Sequence, residues 1–218
     1  MNKLLIIAAV CAAAVLASSC VAVRGSGTKA EDSRQVPAFS SISFNGSYSA
    51  ELAVGGEATE TVTVLLTGDD NIVPLIDTVV EGGVLTIDSE KNLWTDLPLT
   101  VKATPFELDG ITINGSADVN ATGIHGPKIN VEVNGSGDVT LSGQAEAVKL
   151  EVNGSGDVQA RDLKATSVTI EIAGSGDVEV CASKSLSVDI AGSGAVTYYC
   201  NPSVVNQDIA GSGELIKK

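Results

Sequence analysis

The chain has 218 residues, 44% apolar and 18% charged but only 3% aromatic, with 23 Gly against 3 Phe, 3 Tyr and 1 Trp. Acidic residues outnumber basic ones by 27 to 13, a net of −14, which denies it the basic footprint of a nucleic-acid binder. A single His (His125), four Cys and the arginines Arg24, Arg34 and Arg161 leave few parts for transition-metal sites or acid/base catalysis.

Met1 to Cys20 has the form of an export signal. Lys3 supplies a positive start, and Leu4–Leu16 is an apolar run of thirteen residues, short of the roughly 20 that a membrane-spanning helix needs. Ala17-Ser18-Ser19 then lead into Cys20. This resembles the lipobox of bacterial lipoproteins, in which residues 1–19 would be removed as the signal peptide and the Cys20 thiol diacylated. Leu16 lies one position further from Cys20 than that pattern prefers, so an ordinary secretory signal with an incidental Cys competes. Removal of residues 1–19 takes Lys3 with it and leaves 12 basic against 27 acidic residues, a net of −15. Residues 20–36 follow as the acylated Cys20 and a polar, Gly- and Ser-containing stretch without apolar period, read as a flexible tether.

Residues 37–108 are β in character but irregular. Strands are expected over 39–44, 47–54, 60–66, 84–88 and 98–104, with a short helical turn over Asp70–Ile76 that Asp69 or Asp70 would cap and Pro74 would limit. This region is expected to begin the stack described next and to cover its exposed first edge.

Residues 109–218 are repetitive, and the repeat decides the architecture. NGSADV from Asn114, NGSGDV from Asn134 and Asn153, AGSGDV from Ala173, AGSGAV from Ala191 and AGSGEL from Ala210 recur at intervals of 20, 19, 20, 18 and 19 residues. A distant relative, NGSYSA, starts at Asn45. Strict alternation precedes each copy, as in Ile129, Val131 and Val133, and a shorter alternation follows it, as in Val139 and Leu141. Period two with one apolar face is the half-buried strand pattern. The glycines suit an abrupt corner with positive φ, a conformation that Asn also tolerates.

A unit of that length cannot bury its apolar face alone. Stacking the units in register satisfies both the side chains and the backbone, with a rise of about 4.8 Å per coil and about 25 Å for the six copies. The fold class is therefore all-β, a right-handed parallel β-helix of roughly 19–20 residues per coil. Hairpin meanders compete, but they would not need the same corner in every unit. Lys217 and Lys218 at the far end read as guards against edge pairing.

Stacking brings like residues together. Asp118, Asp138, Asp157 and Asp177 would form a carboxylate column, and Asp138, Asp157 and Asp177 are candidate Ca²⁺ ligands. The competing interpretation is a solvated column, since each Asp immediately precedes an inward Val and the spacing does not match known calcium-binding nonapeptide repeats. Asn114, Asn134 and Asn153 would either bond amide to amide along the stack or serve as tolerated turn residues. Cys181 and Cys200 are one coil apart, within reach of a disulfide that an exported protein would retain; two reduced thiols are the alternative.

Pro37-Ala38-Phe39 with Ile42, Asn45-Gly46-Ser47-Tyr48, the Gly82–Ile87 strand and the NGSGDV ladder together resemble the bacterial head GIN domain, an auto-transporter adhesin family frequent in lipoproteins of Bacteroides-like bacteria. The resemblance spans roughly residues 37–216 and implies a β-helical, exported and envelope-attached protein with no catalytic residues to transfer. The residues agree: neither a nucleophile elbow, a phosphate loop nor a metal-ligand cluster appears.

The expectation is a non-enzymatic cell-envelope lipoprotein, in the outer membrane and facing either the periplasm or the surface. It would act as an adhesin or interaction scaffold held to the membrane by its lipid. It would need no cofactor, would bind a protein or glycan surface partner, and is a candidate for homo-oligomerisation. The alternative is a glycan-binding or glycan-processing β-helix, for which Trp94 and Tyr199 are the candidate contact residues because sugar platforms use exposed rings.

Overall fold

The computed structural model describes residues 22–218. Its repetitive part comprises β10 (Gly110–Gly115), β11 (Asp118–Gly135), β12 (Val139–Gly154), β13 (Val158–Gly174), β14 (Val178–Gly192), β15 (Ala195–Tyr199), β16 (Val204–Gly211) and β17 (Glu214–Lys217). Each long strand pairs in parallel with its equivalent one coil away, and the corners line up: Gly115 faces Gly135, which faces Gly154, then Gly174, Gly192 and Gly211. The protein is a parallel β-solenoid of about five turns with a less regular N-terminal region. The stretches expected as longer loops between coils also pair, so β11, β12, β13 and β14 run unbroken from one corner to the next, with register shifts such as that between Ala121 and Ile124.

Inside, the alternation holds: Val139, Leu141, Val148, Leu150 and Val152 of one coil are buried against their counterparts above and below. Five such side chains at about 1.5–3 kcal/mol each outweigh the repulsion of about 1 kcal/mol that an outward carboxylate column sets up per solvated pair. The corner glycines carry the positive φ, +142° to +151° from Gly115 to Gly192. A Cβ on Gly154 would drive into the carbonyl oxygen of Gly135, so only glycine lets adjacent corners nest.

The N-terminal region comprises β1 (Val23–Arg24), β2 (Lys29–Pro37), β3 (Ser41–Gly46), β4 (Ser49–Ala53), β5 (Thr61–Asp69), β6 (Asp77–Glu81), β7 (Val84–Asp88), β8 (Leu93–Trp94) and β9 (Thr100–Ala103). Here spatial order departs from chain order. β3 and β4 form a true coil, with Asn45 and Gly46 in register with Asn114 and Gly115. The chain then leaves the stack, builds β7 and β9 on the outer side of that coil, and returns to lay β10 on its inner side. Antiparallel strands finish the end: β6 on β7, β5 on β9 and β2 on β5. The outermost strands carry Asp77 and Glu81, or Lys29, Glu31, Asp32 and Arg34, charges that discourage pairing with another chain.

Three expectations are corrected. Residues 29–36 of the expected tether are strand, and residues 23–24 pair with β8. The period-two signal was hidden because Asp32 and Arg34 take positions that apolar residues would otherwise hold. Arg34 bonds Asp32 at 2.8 Å, the Val73 carbonyl at 3.0 Å, Thr78 Oγ1 at 3.2 Å and the Ile76 carbonyl. The helical turn shrinks to a 3₁₀ turn over Val73–Leu75, entered from Ile72 without a side-chain cap, because the Asp69 carboxylate is engaged elsewhere. Strand β6 was not anticipated at all. The signal sequence and Cys20 lie outside the described residues.

Candidate functional site

The outer surface of the solenoid consists of rows, since every outward residue is repeated a coil away. At the corners, Asp118, Asp138, Asp157 and Asp177 stand in a column, and each uses Oδ1 to accept the backbone N–H of the next coil. Asp138 N donates to Asp118 at 3.2 Å, Asp157 N to Asp138 at 3.0 Å, Asp177 N to Asp157 at 2.8 Å and Ala195 N to Asp177 at 2.9 Å. Ala195 offers no carboxylate, so the N–H of Glu214 turns to the Gly194 carbonyl instead, at 3.3 Å. One oxygen of each candidate Ca²⁺ ligand is thus committed to the backbone. Among the described residues no three His, Cys, Asp or Glu side chains form a metal-binding group.

The asparagines are ladder residues, not turn residues. Asn114 Nδ2 donates to Asn45 Oδ1 at 2.9 Å, Asn134 to Asn114 at 3.0 Å and Asn153 to Asn134 at 3.0 Å, and Asn45 closes the first end by donating to Asp88 at 3.1 Å. Below this corner Tyr48 is buried, and its hydroxyl is pushed up to about 12 by that burial and by the nearby Asp88 and Asp77.

A third row, missed in the sequence, lies two residues before each corner. Thr112, Glu132, Glu151, Glu171, Asp189 and Asp208 follow one another in register on the outward face. The signal was present, as the acidic residue two places before the Asn-Gly or Ala-Gly of the corners at 134, 153, 173, 191 and 210, but the corner Asp drew the attention. Lys149, in the adjoining row, bridges Glu151 and Glu171, the latter at 3.5 Å. The Glu151 carboxylate holds the Lys149 ammonium above its usual range. An open groove of about 530 Å³ crosses this face past Thr112, Asn130, Glu132, Lys149 and Glu151. The matching row after the corner, Asn120, Thr140, Gln159, Glu179 and Thr197, is mostly neutral. Of these two rows, the one before the corner carries most of the acidic charge.

Cys181 and Cys200 form the expected disulfide, with Cα atoms 5.3 Å apart on adjacent coils. The Arg161 guanidinium sits 4.3 Å over the Tyr199 ring, so one face of that candidate contact is already occupied. Trp94 is 68% exposed, in a two-residue strand paired with Val23–Arg24 at the opposite end of the stack. The two aromatic candidates do not form one site. His125 stands edge-on to Phe106, with Nδ1 3.1 Å from the Gly123 carbonyl.

A second arrangement missed in the sequence is a clasp around residues 24–28. Asp69 is fully buried, and its carboxylate accepts N–H bonds from Gly27 at 2.7 Å, Asp96 at 3.0 Å and Leu97 at 3.1 Å. Burial pushes this carboxyl up, but the backbone donors of Leu97, Gly27 and Asp96 overcome it and hold it below the usual 3.8. Asn71 bonds the Arg24 carbonyl at 2.8 Å and the Ser26 N–H at 2.9 Å, and Asp70 takes the Ser26 hydroxyl at 2.5 Å. Gly25 lies so close to Asp69 that a Cβ would collide with its carboxylate.

The fold and its rows define a parallel β-solenoid closed at one end by strands out of chain order. Residues 38–202 match the family described as "Putative auto-transporter adhesin, head GIN domain", and the chain belongs to it. A crystal structure of a putative adhesin from Bacteroides fragilis is similar at 21% identity, with a TM-score of 0.73 over 90% of this chain and all of that one. A putative lipid binding protein from Parabacteroides distasonis (21% identity, TM-score 0.50, 91% of this chain and 100% of that) and a putative adhesin from Parabacteroides merdae (20%, 0.50, 90% and 98%) share the fold. No curated protein matches the sequence.

Proposed function

We propose that this protein is a non-enzymatic cell-envelope lipoprotein that acts as an adhesin, anchored through acylated Cys20 and presenting the acidic face of a rigid solenoid to a surface partner. The family match supports the adhesin class. The observation that carries the mode of action is the in-register row Glu132, Glu151, Glu171, Asp189 and Asp208, backed by the corner column Asp118 to Asp177. Fixed at about 4.8 Å per coil, these rows match a partner that repeats positive or cation-bridged groups. Complementary charge of this kind sets specificity and encounter rate more than affinity.

The test is binding to arrays of envelope glycans and basic surface proteins, with and without Ca²⁺. The comparison is with a variant in which Glu132, Glu171, Asp189 and Asp208 become Gln or Asn. Loss of binding with unchanged unfolding supports the proposal, whereas undiminished binding removes the acidic face from the account. A glycan reading centred on Trp94 or Tyr199 predicts that Trp94→Ala or Tyr199→Ala abolishes binding while the neutralised face is silent. Turnover of any glycan would contradict the non-enzymatic assignment.

A further inference from the structure

We infer that Trp94 is a membrane-interface anchor that docks the capped end of the solenoid directly on the bilayer carrying the acyl chains of Cys20. The inference rests on the lipoprotein reading of Cys20 and goes beyond it, because an acylated cysteine alone would leave the body free to stand off on a tether. The clasp removes that freedom. Val23 already pairs with Leu93 and Arg24 with Trp94, the Val23 N–H bonds the Asn92 carbonyl at 2.8 Å, and Gly25 N–H bonds the Trp94 carbonyl at 2.8 Å. Asp69, Asp70 and Asn71 lock the residues that follow.

Only Val21 and Ala22 separate Val23 from Cys20, and the three extended Cα–Cα steps span at most about 11 Å. Trp94 sits one strand spacing, about 4.8 Å, from Arg24. The indole is thus held within reach of the headgroup zone in which the anchor's glycerol would lie. At 68% exposure it is the most exposed of the large apolar side chains among the described residues, and paired residues of parallel strands project to the same side, so Arg24, 76% exposed and ion-paired with Asp96 at 3.5 Å, accompanies it. An aromatic body with a polar N–H beside an exposed cation is the chemistry enriched at membrane interfaces. The body's net negative charge argues against electrostatic adsorption, so the contact is interfacial insertion of the ring, and the solenoid then projects its open C-terminal coil away from the membrane.

Trp94 is the one tryptophan of the chain, so intrinsic fluorescence reports this site alone. The full mature protein would be purified from membranes and reconstituted into phosphatidylethanolamine–phosphatidylcholine vesicles. Mass spectrometry of the Cys20 peptide tests the lipoprotein reading separately. With acyl chains present, we expect blue-shifted emission, quenching by lipids brominated near the headgroup, and several-fold weaker quenching by aqueous iodide than in the delipidated chain. Asn71→Ala, which loosens the clasp, should restore much of the iodide access without changing lipid attachment. Acylated protein whose Trp94 stays fully open to iodide and untouched by brominated lipid overturns the docking inference while the anchor reading stands. An unacylated Cys20 overturns both.

Discussion

The repetitive coils and the N-terminal third are held together by different kinds of bond. Side-chain hydrogen bonds among the corner residues link positions 18 to 20 apart, one coil to the next, and repeat with the sequence. In the N-terminal third the long-range bonds of Arg34, Asp69, Asn71 and Ser26 span 27 to 47 residues and none recurs. A repeat stabilises itself by copying one solution, whereas a cap must terminate the repeat and therefore needs unique contacts. Among the described residues the other end of the stack has no such structure. β16 and β17 are largely exposed, Val204 and Val205 show 49% and 40% of their surface, and the last coils are held by the ladders of β15 and β16 on β14 and of β17 on β15, with the disulfide as a covalent link between adjacent coils.

The largest effect should come from breaking the repeat. Gly154→Ala combines a strained φ with a clash against a neighbouring corner and should cost roughly 3 kcal/mol or more. Gly82→Ala in the N-terminal region, at φ +58° with open space around it, should cost only about 1 kcal/mol. Urea unfolding of the two variants gives the contrast directly, and equal losses would mean that the corners are not nested. Next, replacing Cys181 and Cys200 together by Ser should lower stability by about 2–4 kcal/mol. That loss should be confined to the open end, so limited proteolysis should clip β15 to β17 first.

Arg34→Ala in the cap should cost about 2 kcal/mol, because buried carbonyls of Val73 and Ile76 lose their donor. Hydrogen exchange should then rise in β2 and β6 and not in β12 or β13. Asn134→Ala removes one rung of the ladder and should cost about 1 kcal/mol, small because Ala already occupies the equivalent positions 173, 191 and 210. The smallest effect appears only in acid. The folded pKa of Asp69 lies below its unfolded value of 3.8, so its contribution is complete above that pH and fades as the pH falls through the folded value. Cap unfolding followed by exchange should accelerate below about pH 4, and Asp69→Asn should flatten that dependence.

The same contrast explains what could be read in advance. The solenoid, its corners, the disulfide and the corner column were legible because a period of about twenty residues is written six times and stacking turns sequence distance into spatial neighbourhood. The N-terminal β region was legible as strands but not as an arrangement. Nothing local announces that β10 will return to β3 across 69 residues between Asn45 and Asn114. The strand hidden in the tether was illegible because Asp32 and Arg34 satisfy each other in positions where apolar residues would have marked it. Asp69 looked like a helix cap because an acidic residue just before a turn has that local meaning, and its real partners, Gly27, Asp96 and Leu97, are remote.

In-register stacking underlies every row on the surface, and paired cysteine substitutions test it most directly. Ser136 and Ser155 occupy the same exposed corner position on adjacent coils, and the Ser155 N–H bonds the Gly135 carbonyl at 2.9 Å; Ser175 is one coil further. The account predicts that Ser136→Cys with Ser155→Cys forms a cross-link under mild oxidation, and that Ser136→Cys with Ser175→Cys, at about twice the 4.8 Å coil rise, does not. Failure of the first pair, or equal linking of both, would contradict it.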